Sequence, residues 1–206
     1  MLDLHVPELP AGQGERLTRL EYKRDFRERR AAMRNGSSWK LERRQHFEEV
    51  DPSRDALRRG DWAEALRLFE SEREDVRAEA QAEEAKGNAF HRLRIVEQPL
   101  APYMQWELHW LHLNAECGDR IRVLPAASVA ASEAEGPLPE LTLIDGRTLF
   151  RVVYSDQGAT EGAVRYTDPE IVQPWENYLR ELYAAAEDIL TYFTRVVAPL
   201  PPPPAA

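Results

Sequence analysis

A chain of 206 residues is long enough for one sizeable core, or for a core with a helical extension. With 43% hydrophobic and 31% charged residues it has the composition of a globular protein with a heavily charged surface. A net charge of −9 argues against coating nucleic acid as a whole, since phosphate binding draws on Lys and Arg, and the single Cys117 excludes an internal disulfide or a cysteine-only zinc site.

Residues 1–14 carry Pro7, Pro10, Gly12 and Gly14 and read as a flexible amino terminus without the basic and apolar regions of a signal peptide. Glu15 to Arg34 has no breaker and predicts one helix, stopped at Asn35-Gly36. Ser38 is placed to cap a short second helix carrying Trp39, Leu41 and Phe47. Asp51-Pro52 and Gly60 break the chain again. Asp61 with Glu64 resembles a capping box, opening a helix with Trp62, Leu66, Phe69 and Val76 on one side and an end near Gly87. Residues 15–87 are therefore expected to be a helical amino-terminal region.

At Phe90 the pattern changes. Arg92 and Arg94 alternate with Leu93 and Ile95, the period-two signature of a strand with one buried face. Pro102 starts a helix with Tyr103, Trp106, Trp110, Leu113 and Cys117 at steps of three or four, closed by Gly118. Ile121 to Leu124 is a second strand, and 126–139 reads as an exposed loop. Asp145-Gly146 between two apolar runs marks a hairpin, followed by a strand at Ala163 to Tyr166. The last helix is capped by Thr167 or Asp168, with Trp175, Leu179, Leu182, Ala186, Ile189 and Phe193 as its stripe. Pro199 to Ala206 reads as a disordered polyproline-like tail.

The expected fold is α+β. Amino-terminal helices pack on a mixed four- or five-stranded sheet with β-α-β-β-β-β-α order and a long carboxy-terminal helix, the sheet domain covering 88–197 and the tail 198–206. With no apolar run near the roughly 20 residues that span a bilayer, no membrane contact is expected, and the expected compartment is the cytoplasm.

Four candidate sites follow. Alternation puts Arg92 and Arg94 on one side of their strand. If Arg122 on the next strand joins them, bordered by Trp106 and Glu107, the sheet carries a basic face able to hold phosphate or carboxylate. Ion pairing with Glu97, Glu107 or the amino-terminal helices is the plainer reading of the same arginines. His109, His112 and Glu116 share a helix face and are a weak metal alternative beside the reading that no metal or other cofactor is bound. Glu107 offers general acid–base chemistry if buried. The segment from Glu15 to Arg34, with Lys40, Arg43 and Arg44, is the basic part of an acidic chain. Intrahelical pairs such as Glu15–Arg19 and Asp25–Arg29, or docking on the acidic remainder of the chain, account for it on the plainer reading; a contact with an acidic partner is the alternative, and nucleic acid is disfavoured.

The stretches Ser38 to Phe47, Gly60 to Leu66, Phe90 to Leu108 and Cys117 to Val123 resemble an actinobacterial, streptomycete-type family of unknown function. Its pattern is an arginine-bearing strand followed by Pro-Leu-x-x-Tyr-x-x-Trp-Glu, here Pro99 to Glu107. The resemblance implies an accessory regulatory role beside helix-turn-helix regulators, which become expected partners together with a second copy of the chain. The carboxy-terminal half is similar to the ligand-sensing half of some such regulators and, loosely, to a phospholipase-D-like half-domain. That superfamily's His-x-Lys is missing, because His91, His109 and His112 are followed two positions on by Leu93, Leu111 and Asn114. The expectation is a non-enzymatic regulatory or interaction protein binding an acidic ligand or partner. The alternative is an enzyme or small-molecule binder of specialised metabolism using Glu107 or the His109/His112 face.

Overall fold

The computed structural model describes residue 2 and residues 4–205. The chain opens with strand β1 (Glu15–Thr18) and helix α1 (Arg19–Ala32). The expected helix from Glu15 is thus split at Thr18. Its hydroxyl accepts from the Glu21 amide while the Glu21 carboxylate takes the Thr18 amide at 2.9 Å, a complete capping box. Nothing in the local sequence separates Glu15–Thr18 from the helix. The segment is a strand because it completes the hydrogen bonds of another strand's free edge.

Strand β2 (Ser37–Glu42) corrects a second expectation, the short helix capped by Ser38. Trp39 and Leu41 point to one side of it, Lys40 and Glu42 to the other, an alternation as clear as that around Arg92. Three helices follow: α2 (Pro52–Arg58), α3 (Trp62–Ser71) and α4 (Arg73–Ala85). Asp51 and Asp61 cap the first two through the amides of Arg54 and Glu64. The rest of the chain supplies β3 (Ala89–Val96), α5 (Pro102–Glu116), β4 (Arg120–Pro125), β5 (Leu141–Ile144), β6 (Thr148–Tyr154), β7 (Thr160–Tyr166) and α6 (Pro169–Ala185). The long last helix stops earlier than its apolar stripe suggests. Ala186 is extended, Glu187–Asp188 forms the edge strand β8, and Asp188 caps a new helical turn, α7 (Ile189–Tyr192), that runs into a π-helical segment to Val197. Ile189 is buried beneath this turn rather than on a continuous helix.

All eight strands form one mixed sheet, ordered β1-β7-β6-β5-β2-β3-β4-β8. The α+β class is as expected, but the sheet is larger than four or five strands, because β1, β2 and β8 join it. β2 lies at its centre, parallel to β3 and antiparallel to β5. On one face Trp39, Leu41, Leu93, Leu143 and Leu149 are covered by α6 through Trp175, Tyr178, Leu179 and Leu182. The loop expected to be exposed at 126–139 contributes buried Val129 and Leu138 to this core. On the other face α5 covers Ile121 and Val123, and α1 covers Phe150 and Ala163 through Tyr22, Phe26 and Met33. Between α1 and α5 the sheet carries charge instead of hydrocarbon. The carboxy-terminal prolines meet the body where Gln105 Nε2 donates to the Pro201 carbonyl at 2.8 Å.

Candidate functional site

Register decides what the strand arginines do. Lys40, Arg92, Ile121 and Thr142 are aligned across β2, β3, β4 and β5, so Lys40 and Arg92 lie side by side in mid-sheet, two residues before Glu42 and Arg94. Arg122 is aligned with Leu93, not with Arg92. It therefore faces α6, where its guanidinium donates to the Tyr183 carbonyl at 2.9 Å and lies 4.7 Å from the Tyr183 ring centroid. The expected three-arginine face does not form. Alternation fixes which residues of one strand share a side, but only pairing fixes the phase between two strands.

Arg94 is fully enclosed. Its Nε donates to Glu107 Oε2 at 2.8 Å, a second guanidinium nitrogen lies 2.7 Å from the same oxygen, and another donates to the Glu42 carbonyl at 3.1 Å. Lys40 pairs with one oxygen of Glu42, and Arg92 Nε lies 3.6 Å from the other. The ion-pair reading thus describes Arg94. Arg92 is spent only in part. Burial and the neighbouring Glu42 charge push the Glu107 carboxyl upward against the pull of Arg94. Glu42 is held down to about 2 by Arg92, Lys40 and Arg94, which outweigh its burial. Trp106 packs against Phe69 and Tyr103, its indole N–H donating to Ser53 Oγ at 2.8 Å.

A cavity of about 800 Å³ lies over Lys40 and Arg92, walled by α1, α4 and α5. That is within the range of ligand pockets, roughly 300–1,000 Å³. Tyr22, Phe26, Phe90, Val76 and Trp110 give it apolar surface. Five cationic residues (Lys23, Arg27, Arg30, Lys40, Arg92) and four acidic ones (Glu79, Glu83, Glu84, Asp119) line it, while Arg120 at its edge is in register with His91 and faces α6. Arg30 and Arg92 flank one ring, their guanidinium carbons 5.3 and 5.7 Å from the Phe90 centroid. Burial raises the Asp119 carboxyl despite the nearby Arg92 and Arg30. Cys117, also at the wall, is buried, with Sγ 3.6 Å from the Arg73 carbonyl.

The helix histidines are not on an open face. His112 stacks on Phe193 at 3.9 Å, and His109 packs edge-on against Phe193 and Trp62. Burial, helped by His112, lowers His109 to about 4. Glu116 pairs with Arg73 at 3.0 Å, and the same oxygen lies 3.8 Å from His112 Nδ1. Among the described residues no three His, Cys, Asp or Glu side chains gather as metal ligands. His91, left without a role by the sequence, stacks on Trp39 at 4.2 Å beneath α6. Of the basic amino-terminal segment, Asp25–Arg29 pairs as expected at 2.9 Å, but Glu15 pairs with Arg165 across the sheet. Arg43 is held by Glu133 and Glu97.

Sequence alone does not place Lys40, Glu42, Arg30 and Phe90 in one site; Lys40 and Arg30 stand there only as parts of the basic amino-terminal segment. The signal for the first two was present in Ser38-Trp39-Lys40-Leu41-Glu42, whose alternation mirrors that of β3. Arg30 gave no such signal, because its place over Phe90 depends on how α1 crosses the sheet.

Fold and site together define an α+β protein with one large mixed sheet and a charged, aromatic-walled cleft between helices on one face. The chain belongs to the family described as a domain of unknown function (DUF6879), which matches residues 24–194. No curated protein matches it. One solved structure, described as that of TrmBL2, an archaeal chromatin protein with a novel mode of DNA binding, is 12% identical with a TM-score of 0.46. The match covers 91% of this chain and 57% of that one, and a likeness at this level carries no functional argument. Among the described residues no helix is long and apolar enough to cross a membrane.

Proposed function

We propose that the chain is a non-enzymatic accessory binding protein whose cleft takes an acidic ligand on Arg30 and Arg92. The observation that carries this reading is that these cations are left over. Among the described residues Arg30 has no carboxylate within ion-pair distance, and Arg92 reaches only Glu42, at 3.6 Å. Two other arginines of the sheet, Arg94 and Arg165, are by contrast matched closely, to Glu107 and to Asp25. Half-buried guanidinium groups beside an aromatic ring suit a carboxylate or phosphate attached to an apolar body.

The accessory and regulatory setting is the one implied by the resemblance to an actinobacterial family, with its helix-turn-helix regulator neighbours and its phospholipase-D-like half-domain. On this reading the bound ligand biases contact with such a regulator or with a second copy. The enzymatic reading has less support. It asks Glu107 to exchange a proton while two nitrogens of Arg94 hold its Oε2, and His109 and His112 are wedged against Phe193.

The test is calorimetric titration with phosphate and a panel of aromatic and aliphatic carboxylates. At least one should bind, and Arg30→Ala should weaken it tenfold or more without lowering Tm. Binding untouched by the substitution, or no binding by any anion, refutes the proposal.

A further inference from the structure

Two of the helices that wall the cleft carry opposite charge. Along α1, Arg19, Lys23 and Arg27 recur at steps of four and are exposed, and Arg30 continues the row into the cleft. Among the described residues none of the four has a carboxylate within ion-pair distance, while Asp25 of the same helix is held by Arg29 and Arg165. The opposite wall is the converse. On α4, Glu79 and Glu84 are exposed and, among the described residues, unpaired, and Glu83 is held by Lys86 and Asn88. The cavity of about 800 Å³ lies between the two rows. Burial raises the Glu83 carboxyl, but Lys86 and Asn88 outweigh it, with Arg30 adding from across the cleft.

A single charged row on a helix is ordinarily a solvated face. Here the pair of rows is self-complementary. α1 and α4 stand on the same face of the sheet, on either side of the cleft. A twofold axis along the cleft therefore sets α1 of one copy over α4 of its partner, and α4 over α1. Both contacts then join a basic row to an acidic one. A nucleic acid or a uniformly acidic protein fits less well, because one sign of charge that matches α1 is repelled by Glu79 and Glu84. A second copy presents both signs. Leu20, 81% exposed on α1, and the exposed Ala78, Ala82 and Ala85 on α4 add apolar surface to each helix.

We propose that the α1/α4 face is the contact between two copies of this chain, each covering the mouth of the other's cleft. The contact goes beyond the ligand reading and does not depend on it. At a net charge of −9 two copies repel at a distance. At about 0.15 M salt that repulsion is screened beyond about 8 Å, whereas charges in contact still attract, so the dimer is weak and reversible.

Sedimentation of the full chain without ligand, with native mass spectrometry for composition, tests this. The parent should dimerise at about 0.15 M salt and dissociate towards about 1 M, where the Debye length falls to about 3 Å. Lys23→Glu with Arg27→Glu should be monomeric, and so should Glu79→Lys with Glu84→Lys, because each variant meets its own sign at both contacts. Mixed in equal amounts, the two variants should form a dimer containing one of each, which also shows that both are folded. All four positions are exposed, so Tm should not change. A parent that is monomeric at every concentration, a dimer that survives either reversal, or a mixture that stays monomeric overturns the proposal. So does a monomeric chain whose α1 row binds an acidic protein or a nucleic acid instead. Arg30 and Arg92 are untouched in these variants, so anion binding by the cleft stands or falls separately.

Discussion

Replacing Glu107 by leucine isolates the buried ion pair under the cleft. Arg94 has 0% exposure and Glu107 6%, so solvent does not reach the guanidinium when its partner is removed. Arginine does not deprotonate in a protein, so Arg94 stays charged, left with the carbonyls of Glu42 and Ile95 at 3.1 and 3.3 Å. Removing one partner of such a pair costs about 3–5 kcal/mol. The Glu42 charge supplies part of the lost attraction, as its contribution to Arg94 indicates, which places the expected loss near the low end, about 3 kcal/mol. For a chain of this size that lowers Tm by roughly 6–12 °C. Arg94→Met combined with Glu107→Leu removes both charges and should recover at least about 2 kcal/mol of it, since apolar replacement of a whole buried pair is often neutral or better. Urea melts followed by tryptophan fluorescence, run on the parent, the single and the double variant, read all three values. A single-variant loss under about 1 kcal/mol, or a double variant no more stable than the single, would refute the buried-pair account.

Glu140 predicts a pH dependence. It is buried, and burial aided by the Glu42 charge pushes it up to about 7, although its Oε1 accepts from the Arg43 and Arg44 amides. The folded state therefore holds this proton more tightly than the unfolded state, whose value is near 4.5. The resulting stability is fully present below 4.5 and is lost as pH rises towards 7, on the order of 2–3 kcal/mol. Glu140→Gln keeps the Oε1 acceptor and removes the ionisation, so it should flatten that slope and be the more stable chain at pH 8. Superimposable urea midpoints for the two chains from pH 5 to 8 would sink this. Glu42, held down to about 2, acts in the opposite sense: its contribution is present above its ordinary value and disappears as pH falls through about 2. Gly162→Ala tests the assignment of β1. A Cβ there would lie 2.2 Å from the Leu17 carbonyl oxygen, a backbone atom that cannot rotate away. A loss of about 1–3 kcal/mol and faster hydrogen exchange in residues 16–18 are expected, and an unchanged exchange pattern would contradict the β1–β7 pairing.

What was legible in the sequence was local. The β3 strand, the Pro102 helix, the Asp145-Gly146 hairpin and the cap of α6 follow from period, proline position and turn chemistry, all of which act within a few residues. The α+β class followed from their order. The errors fall where a segment's state was set by a distant neighbour. Glu15–Thr18 carries helix-compatible residues and becomes a strand because the β7 edge offers hydrogen bonds; Glu187–Asp188 leaves an apolar helical stripe to pair with β4. Ser37–Glu42 is different, since its alternation was readable, but a capping serine was given more weight. The candidate site divides in the same way. That Arg92 and Arg94 share a side was fixed by the chain itself. That Arg122 turns away, that Arg94 is consumed by Glu107, and that Arg30 comes to lie over Phe90 were decided only by register and helix placement. These depend on burying hydrophobic surface over the whole sheet, a quantity that no short window of sequence contains.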